Sequence, residues 1–114
     1  MRSVGNKGED QACKYLIKNG YTIKKQNYYT RFGELDIIAQ KGTQLHIIEV
    51  KYTSQFYIDT IFKLNRKKIR RMIQCSQLYL DRFKVFGVYV QFDLITIVSD
   101  QIKHHQNIFN LTDI

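Results

Sequence analysis

The stretch "GELDIIAQKGTQLHIIEVKYT", from Gly33 to Thr53, narrows the possible folds more than any other part of the chain. Two runs rich in Ile, Leu and Val flank Lys41-Gly42, a two-residue hairpin signal, so the spacing predicts adjacent antiparallel strands over residues 33–40 and 44–53. With that turn, Glu34 falls opposite Glu49 and Asp36 opposite Ile47. The period of two then puts Glu34, Asp36, Glu49 and Lys51 on one side of the sheet, at the end away from the turn. Ile38, Leu45 and Ile47 fill the rest of that side, and Leu35, Ile37, Ile48 and Val50 the other, as expected of a sheet covered on both faces.

The flanking sequence supplies the covers. Ala12, Cys13, Tyr15 and Leu16 recur at helical spacing within residues 4–19, with Ser3 as a candidate N-cap and Asn19-Gly20 as a stop. Residues 21–29 are β-formers and predict a first strand. Residues 66–82 return to helical period, with Ile69, Met72, Ile73, Ser76, Tyr79 and Leu80 on one face and Asn65 as a candidate N-cap. The run "VFGVYVQFDLITIV", residues 85–98, predicts one bent strand or two, followed by a polar turn and a tail carrying Ile108, Phe109 and Leu111. The order α-β-β-β-α-β predicts an α/β fold with a mixed central sheet flanked by helices. At 114 residues, without proline, repeat or low-complexity stretch, the expectation is one domain over residues 1–114. With no run of eighteen apolar residues and no secretory-type leader, a soluble cytoplasmic protein with no membrane contact is expected. Cys13 and Cys75 lack CxxC spacing and read as small buried hydrophobes.

Charge narrows the function. Eighteen Lys and Arg against ten Asp and Glu give a net +8, a field that attracts polyanions. The segment "KLNRKKIRR" holds Lys63, Arg66, Lys67, Lys68, Arg70 and Arg71 with no acid among them. A solvated helix face explains that run as well as a phosphate-binding surface does. The acids on the sheet weigh the choice. Three carboxylates crowded on a half-buried patch repel one another, so either protons are taken up or a cation binds. A hard divalent ion such as Mg²⁺ suits carboxylates, waters and substrate phosphates. Lys51, on the same side as Glu49, then stabilises a phosphate oxygen or orients a water. Such a site would hydrolyse phosphodiesters, while acids at strand ends that are merely solvated are the bland alternative. No Gly-rich phosphate loop, Ser-His-Asp set or dinucleotide fingerprint is present.

Asp36 followed by Glu49 and Lys51 in "EVK" resembles the signature of the PD-(D/E)XK nuclease superfamily, whose core has the same element order. The surrounding frame is more specific and resembles the YraN family of small bacterial proteins over nearly the whole chain. It comprises "GEDQACKYL" (Gly8 to Leu16), "NGY" (Asn19 to Tyr21), Asn27, Arg31, "GELDIIA" (Gly33 to Ala39), Lys68 with Tyr79-Leu80, "QFDLITI" (Gln91 to Ile97) and Asn107 to Phe109. The resemblance implies a restriction-endonuclease-like fold similar to archaeal Holliday junction resolvases. It also implies that Glu9, Asp36 and Glu49 are metal-binding carboxylates, joined by the Val50 carbonyl, with Lys51 the catalytic lysine and Mg²⁺ or Mn²⁺ the cofactor. Lys67, Lys68, Arg70, Arg71 and Arg31 are the expected nucleic-acid contacts. The Gly33-Glu34 pair matches without a derivable role. Thr53 stands where the family has arginine, and Ser76 and Ile108 where it has alanine.

Other residues carry less. His46 falls on the face opposite the acids, and His104 and His105 sit in a polar turn without zinc spacing. Tyr28, Tyr29, Tyr52, Phe56 and Tyr57 either stack on unpaired bases or pack locally. The expectation is a metal-dependent endonuclease-like protein acting on nucleic acid, with DNA favoured and branched DNA included; a symmetric junction would call for a homodimer. The alternative is a binding module that keeps the fold and cuts nothing, and a basic face meeting an acidic protein partner comes third.

Overall fold

The computed structural model describes residues 6–52 and 66–109. These form α1 (Asn6–Lys18), β1 (Thr22–Thr30), β2 (Gly33–Lys41), β3 (Gln44–Tyr52), α2 (Arg66–Arg82), β4 (Tyr89–Val98) and β5 (Gln101–His105). The sheet runs in the order β1-β2-β3-β4-β5, with β3 and β4 parallel and the other neighbours antiparallel. The mixed sheet and the α-β-β-β-α-β order match the sequence expectation, and β5 is an addition to it. Ser3, Asn65, Thr53, Phe56, Tyr57, Lys63 and Leu111 lie outside the described residues.

The β2–β3 turn differs from the expected one. Gly42, at φ +61°, and Thr43 form the loop, so Ile38 pairs with Ile47 and Ala39 with His46. Primed hairpin turns need a positive φ at their first central residue, and glycine meets that need without strain. The register therefore moves by two residues from the one read in the sequence. Asp36 does not face Ile47, but an even shift leaves Ile38, Leu45 and Ile47 on one face and Ile37 and Ile48 on the other, as expected, whereas Leu35 packs with Ile38 instead of with Ile37.

Both helices end in Schellman motifs. At α1, Gly20 N–H bonds the Ile17 carbonyl at 3.1 Å and Tyr21 N–H the Leu16 carbonyl at 2.9 Å, with Gly20 at φ +90°. Asn19-Gly20 thus stops the helix as read. At α2 the same motif closes through Val85 N–H to the Leu80 carbonyl, with Lys84 at φ +50° where glycine is usual.

Each helix covers one face. On the α1 side Ala12, Leu16, Tyr21, Ile37, Ala39, Ile48, Ile95 and Ile97 form one buried cluster. On the α2 side Leu35, Ile38, Leu45, Ile47, Met72, Cys75, Tyr79, Phe92 and Phe109 form the other. Ser76, an alanine in the resemblance, is buried with its hydroxyl donating to the Ile73 carbonyl at 2.7 Å, so the departure leaves no polar group unmet. Cys13 and Cys75 are buried and not joined in a disulfide. Among the described residues no helix is long and apolar enough to cross a membrane.

The histidines need correction. Ser99 and Asp100, at φ +47° and +67°, make the tight β4–β5 turn, and His104 and His105 belong to β5 rather than to a polar turn. Asp93, fully buried in β4, gathers His46 from β3 and His104 from β5. His46 Nδ1–H and His104 Nε2–H donate to Asp93 Oδ2 at 2.7 and 2.8 Å, while Gln91 Nε2–H and Asn107 N–H donate to Oδ1 at 3.0 and 3.1 Å. The Tyr15 hydroxyl of α1 meets the far nitrogen of His104 at 3.2 Å. Burial alone would raise the Asp93 carboxyl; the bonds from His104, His46, Gln91 and Asn107 outweigh it and hold the group below the ordinary carboxylate range. Stabilisation from this lowered group is present above its unfolded value near 4 and is lost only as pH falls through the folded one. Asp93→Ala, which strips two buried imidazoles and two amides of their shared acceptor, is expected to cost about 3 kcal/mol in urea unfolding at neutral pH. A cost under about 1 kcal/mol would show that those donors find other partners.

Candidate metal and nucleic-acid site

The site begins where β2 stops pairing with β3. Ile37 opposite Ile48 is the last paired position at that end, and the Asp36 carboxylate Oδ2 accepts the Val50 N–H at 2.9 Å. Side-chain alternation breaks here as well. Leu35 and Ile38 both pack on the α2 side, although strict alternation over three residues would separate them, and Ile37 packs on the α1 side. On β1, Asn27, between the residues paired with Leu35 and Ile37, has φ +53°. Asp36 therefore reaches across to the β3 backbone instead of standing in the Ile38 row. Of the expected row, Glu34, Asp36 and Glu49 do come together in the lining of one cavity, and Lys51 is the member absent from it.

Three other acids approach it. Carboxylate oxygens of Glu9, Glu34 and Asp36 lie within 4.8 Å of one another. Glu9 comes from the first turn of α1, where a negative charge suits the helix dipole. Gly8 lets that turn come close, since a Cβ there would meet the Tyr52 ring at 3.0 Å. Glu49 hydrogen-bonds Asp36 and pairs with Lys68 of α2, Oε2 to Nζ at 3.0 Å. Gly33, Glu34, Asp36, Glu49, Lys68, Arg71 and Met72 line a cavity of about 230 Å³. Lys51 is exposed and absent from that lining among the described residues.

Burial chiefly, then the hydrogen bond and charge of Glu49, and lastly the charge of Glu9, push the Asp36 carboxyl up to about 9; the Val50 N–H opposes them only in part. In the absence of a cation Asp36 therefore keeps a proton at neutral pH, which it donates to Glu49. An all-oxygen donor set too crowded to ionise fully fits a hard divalent ion. Glu34, one of the three sheet carboxylates whose crowding the sequence suggested, joins the set, although the resemblance gives the Gly33-Glu34 pair no role. Gly33 contributes its backbone, at φ +139°, a conformation that disfavours a side chain.

The basic residues divide. Lys68 and Arg71 line the cavity, whereas Lys67 and Arg70 are exposed on α2 outside the lining. Arg31, in the β1–β2 turn, lies over the Phe32 ring at 4.9 Å. Tyr28 is a packing group, edge-on to Tyr79 and Phe83. Tyr29 is 70% exposed. His46, on the α1 side with Tyr21, is remote from the Glu49–Lys68 face, as expected. Asp93 escaped the sequence reading, though an acid inside the apolar run "QFDLITI" signals a buried group with partners.

The model of the uncharacterised protein family UPF0102 matches residues 8–97. This chain belongs to that family. A UPF0102 protein of Campylobacter fetus subsp. fetus is 39% identical over 104 residues, covering 91% of both chains. One from Persephonella marina is 40% identical over 108 residues, 94% of this chain and 93% of the relative. One from Campylobacter jejuni subsp. jejuni serotype O:2 is 42% identical over 101 residues, 89% of this chain and 88% of the relative. The UPF0102 match spans both strands of the acid cluster, α2 and β4 through Ile97.

Asp36 yields a test of this electrostatic balance. A folded pKa raised above the unfolded value means that stability is fullest below about pH 4 for this group and is lost as pH rises toward about 9. Asn imitates the protonated acid: its oxygen can accept from Val50 and its amide donate to Glu49. Asp36→Asn is expected to be nearest to wild type in stability at about pH 4 and to exceed it by a margin that widens as pH rises toward about 9, in thermal melts without divalent ions. Parallel pH profiles for the two proteins would refute the raised pKa.

Proposed function

We propose that this UPF0102 protein is a divalent-metal-dependent endonuclease that hydrolyses phosphodiester bonds in nucleic acid, with DNA, branched forms included, the favoured substrate. The observation that carries this is the meeting of Glu9, Glu34, Asp36 and Glu49 around Asp36, with Lys68 and Arg71 in the wall of the same cavity. The sequence resemblance to PD-(D/E)XK nucleases supports it.

Asp36, Glu49 and Glu9 would hold Mg²⁺ or Mn²⁺, with Glu34 a further oxygen donor and the Val50 carbonyl beside them. Bound there, such an ion supplies charge stabilisation to the phosphate and makes water a better nucleophile. This chain's own residues do the rest. Asp36, which otherwise donates its proton to Glu49, would lose that proton to water in order to hold the ion beside Glu49. Lys51, two residues past Glu49 on β3, orients the attacking water. Lys68 and Arg71 bind phosphate oxygens, while Lys67, Arg70 and Arg31 extend the positive surface along the backbone. A two-fold dimer would present paired sites to a symmetric junction.

A binding module without hydrolysis is the second reading, and the Lys68–Glu49 pair favours it. One carboxylate is neutralised by a lysine and another by a proton, so the site tolerates the absence of metal. Incubation with branched, nicked and single-stranded DNA decides between the two. Cleavage is expected with Mn²⁺ and not with EDTA. Asp36→Ala and Glu49→Ala should each lower the rate by about 100-fold, equivalent to about 2.7 kcal/mol in the barrier. Cleavage equally strong in both variants, or none of any substrate, would leave the binding module as the better account.

A further inference from the structure

A second cavity lies on the far side of the β1–β2 turn, and of its lining residues the hydrolytic proposal uses only Arg31. Tyr28, Tyr29, Thr30, Arg31, Leu78 and Arg82 line about 420 Å³, within the range of small-ligand pockets. Among the described residues the lining holds two guanidinium groups, an aromatic ring 70% exposed and no acid. Tyr28 is braced against Tyr79 and Phe83 at centroid distances of 5.7 and 6.2 Å, so it forms a fixed wall. A ligand matching this lining carries both a flat π-face and an anion. A nucleotide has both.

The cavity also connects with the acid site. Tyr29 is the cross-strand partner of Glu34, so the exposed ring stands beside one of the clustered acids. On α2, Arg71 lines the acid cavity while Leu78 and Arg82 line the second. These three recur at intervals of seven and four residues along one flank of the helix. From Arg71 to Arg82 the helix rises about 16 Å, a span of on the order of five stacked nucleotides. Bases in an intact duplex are already stacked and paired and cannot lie on Tyr29; an unpaired base can.

We infer that the Tyr29–Arg82 cavity is a subsite for an unpaired nucleotide, so that the strand beside the scissile bond is single-stranded, as in a flap or a splayed arm. Tyr29 stacks on the base, and Arg31 and Arg82 hold its phosphates. This rests on the nucleic-acid reading of the acid site but not on hydrolysis.

Binding is measured by fluorescence anisotropy in EDTA, with three labelled probes: a short oligothymidylate, its abasic counterpart with the same phosphates, and a blunt duplex. The oligothymidylate should bind about tenfold or more tightly than the abasic strand, as base stacking on one aromatic predicts. Tyr29→Ala should remove about tenfold of that affinity and leave duplex binding within about twofold, while Tyr29→Phe should retain the preference. Arg82→Ala should weaken both single strands. Both substituted positions, Tyr29 and Arg82, are exposed, and matching thermal melts verify folding of the variants. Equal affinity for the oligothymidylate and the abasic strand, no binding to any probe, or equal weakening of duplex and single strand by Tyr29→Ala would overturn the subsite. Base-dependent binding without Mn²⁺-dependent cleavage would sink hydrolysis and keep the subsite; cleavage without base dependence would do the reverse.

Discussion

The hydrogen bond from the Val50 N–H to Asp36 decides what the acidic end of the sheet can be. At that point β2 leaves its ladder with β3, and a carboxylate takes the place of a backbone carbonyl as acceptor. One amide donor is too little for a largely buried acid beside Glu49 and near Glu9, so Asp36 is left holding a proton. The parts around it are arranged for that crowding. Gly8 lets α1 deliver Glu9, Gly33 takes a backbone conformation closed to most residues, and Lys68 reaches Glu49 from α2.

Asp93 shows the opposite outcome in the same sheet. Asp93 is fully buried and Asp36 half-buried in the same sheet, yet Asp36 is pushed up and Asp93 down. The difference is the count and sign of neighbours. Asp93 accepts from two imidazoles, a side-chain amide and a backbone amide, whereas Asp36 accepts one backbone N–H and faces other acids. Asp93 is thus a satisfied joint that ties β3, β4 and β5 to Tyr15 of α1. Asp36 is a group kept short of partners, and such imbalance is where a protein has capacity for a ligand.

Elements were legible in the sequence because apolar spacing and stop signals agreed: "NG" after Leu16 closes α1 through Gly20, and the Met72–Tyr79 face of α2 is buried as its period demands. Register was less legible. "KG" and "GT" are both turn candidates, and only the need for a positive φ at the first central residue places Gly42 there. β5 was hidden because "QIKHH" lacks an apolar run; its pairing depends on Ser99-Asp100 adopting a turn more often made with Asn-Gly. Convergence of Asp36 and Glu49 was readable from period two, which survives an even register shift. The approach of Glu9 and the separation of Lys51 from the cavity depend on helix placement and on a broken alternation at Asp36, and neither leaves a periodic trace.

The pair between Lys68 and Glu49 bears on how such a site would work. Lys68 is 38% exposed, and an ion pair so open to water is worth little, so separating the two charges costs little. A divalent cation arriving among four carboxylates gains much more than a single ammonium contributes to one of them, since its charge is double and its oxygen partners are already gathered. Under the hydrolytic proposal the exchange therefore runs in one direction. Glu49 and Asp36 would then hold the ion, the Asp36 proton going to water, and the Lys68 ammonium at the cavity wall beside Arg71 would be available to a phosphate oxygen. Lys51, exposed to solvent, would need no such release, so under the same proposal the two lysines would differ in role: Lys68 pairs with an acid of the site, while Lys51 is open to water.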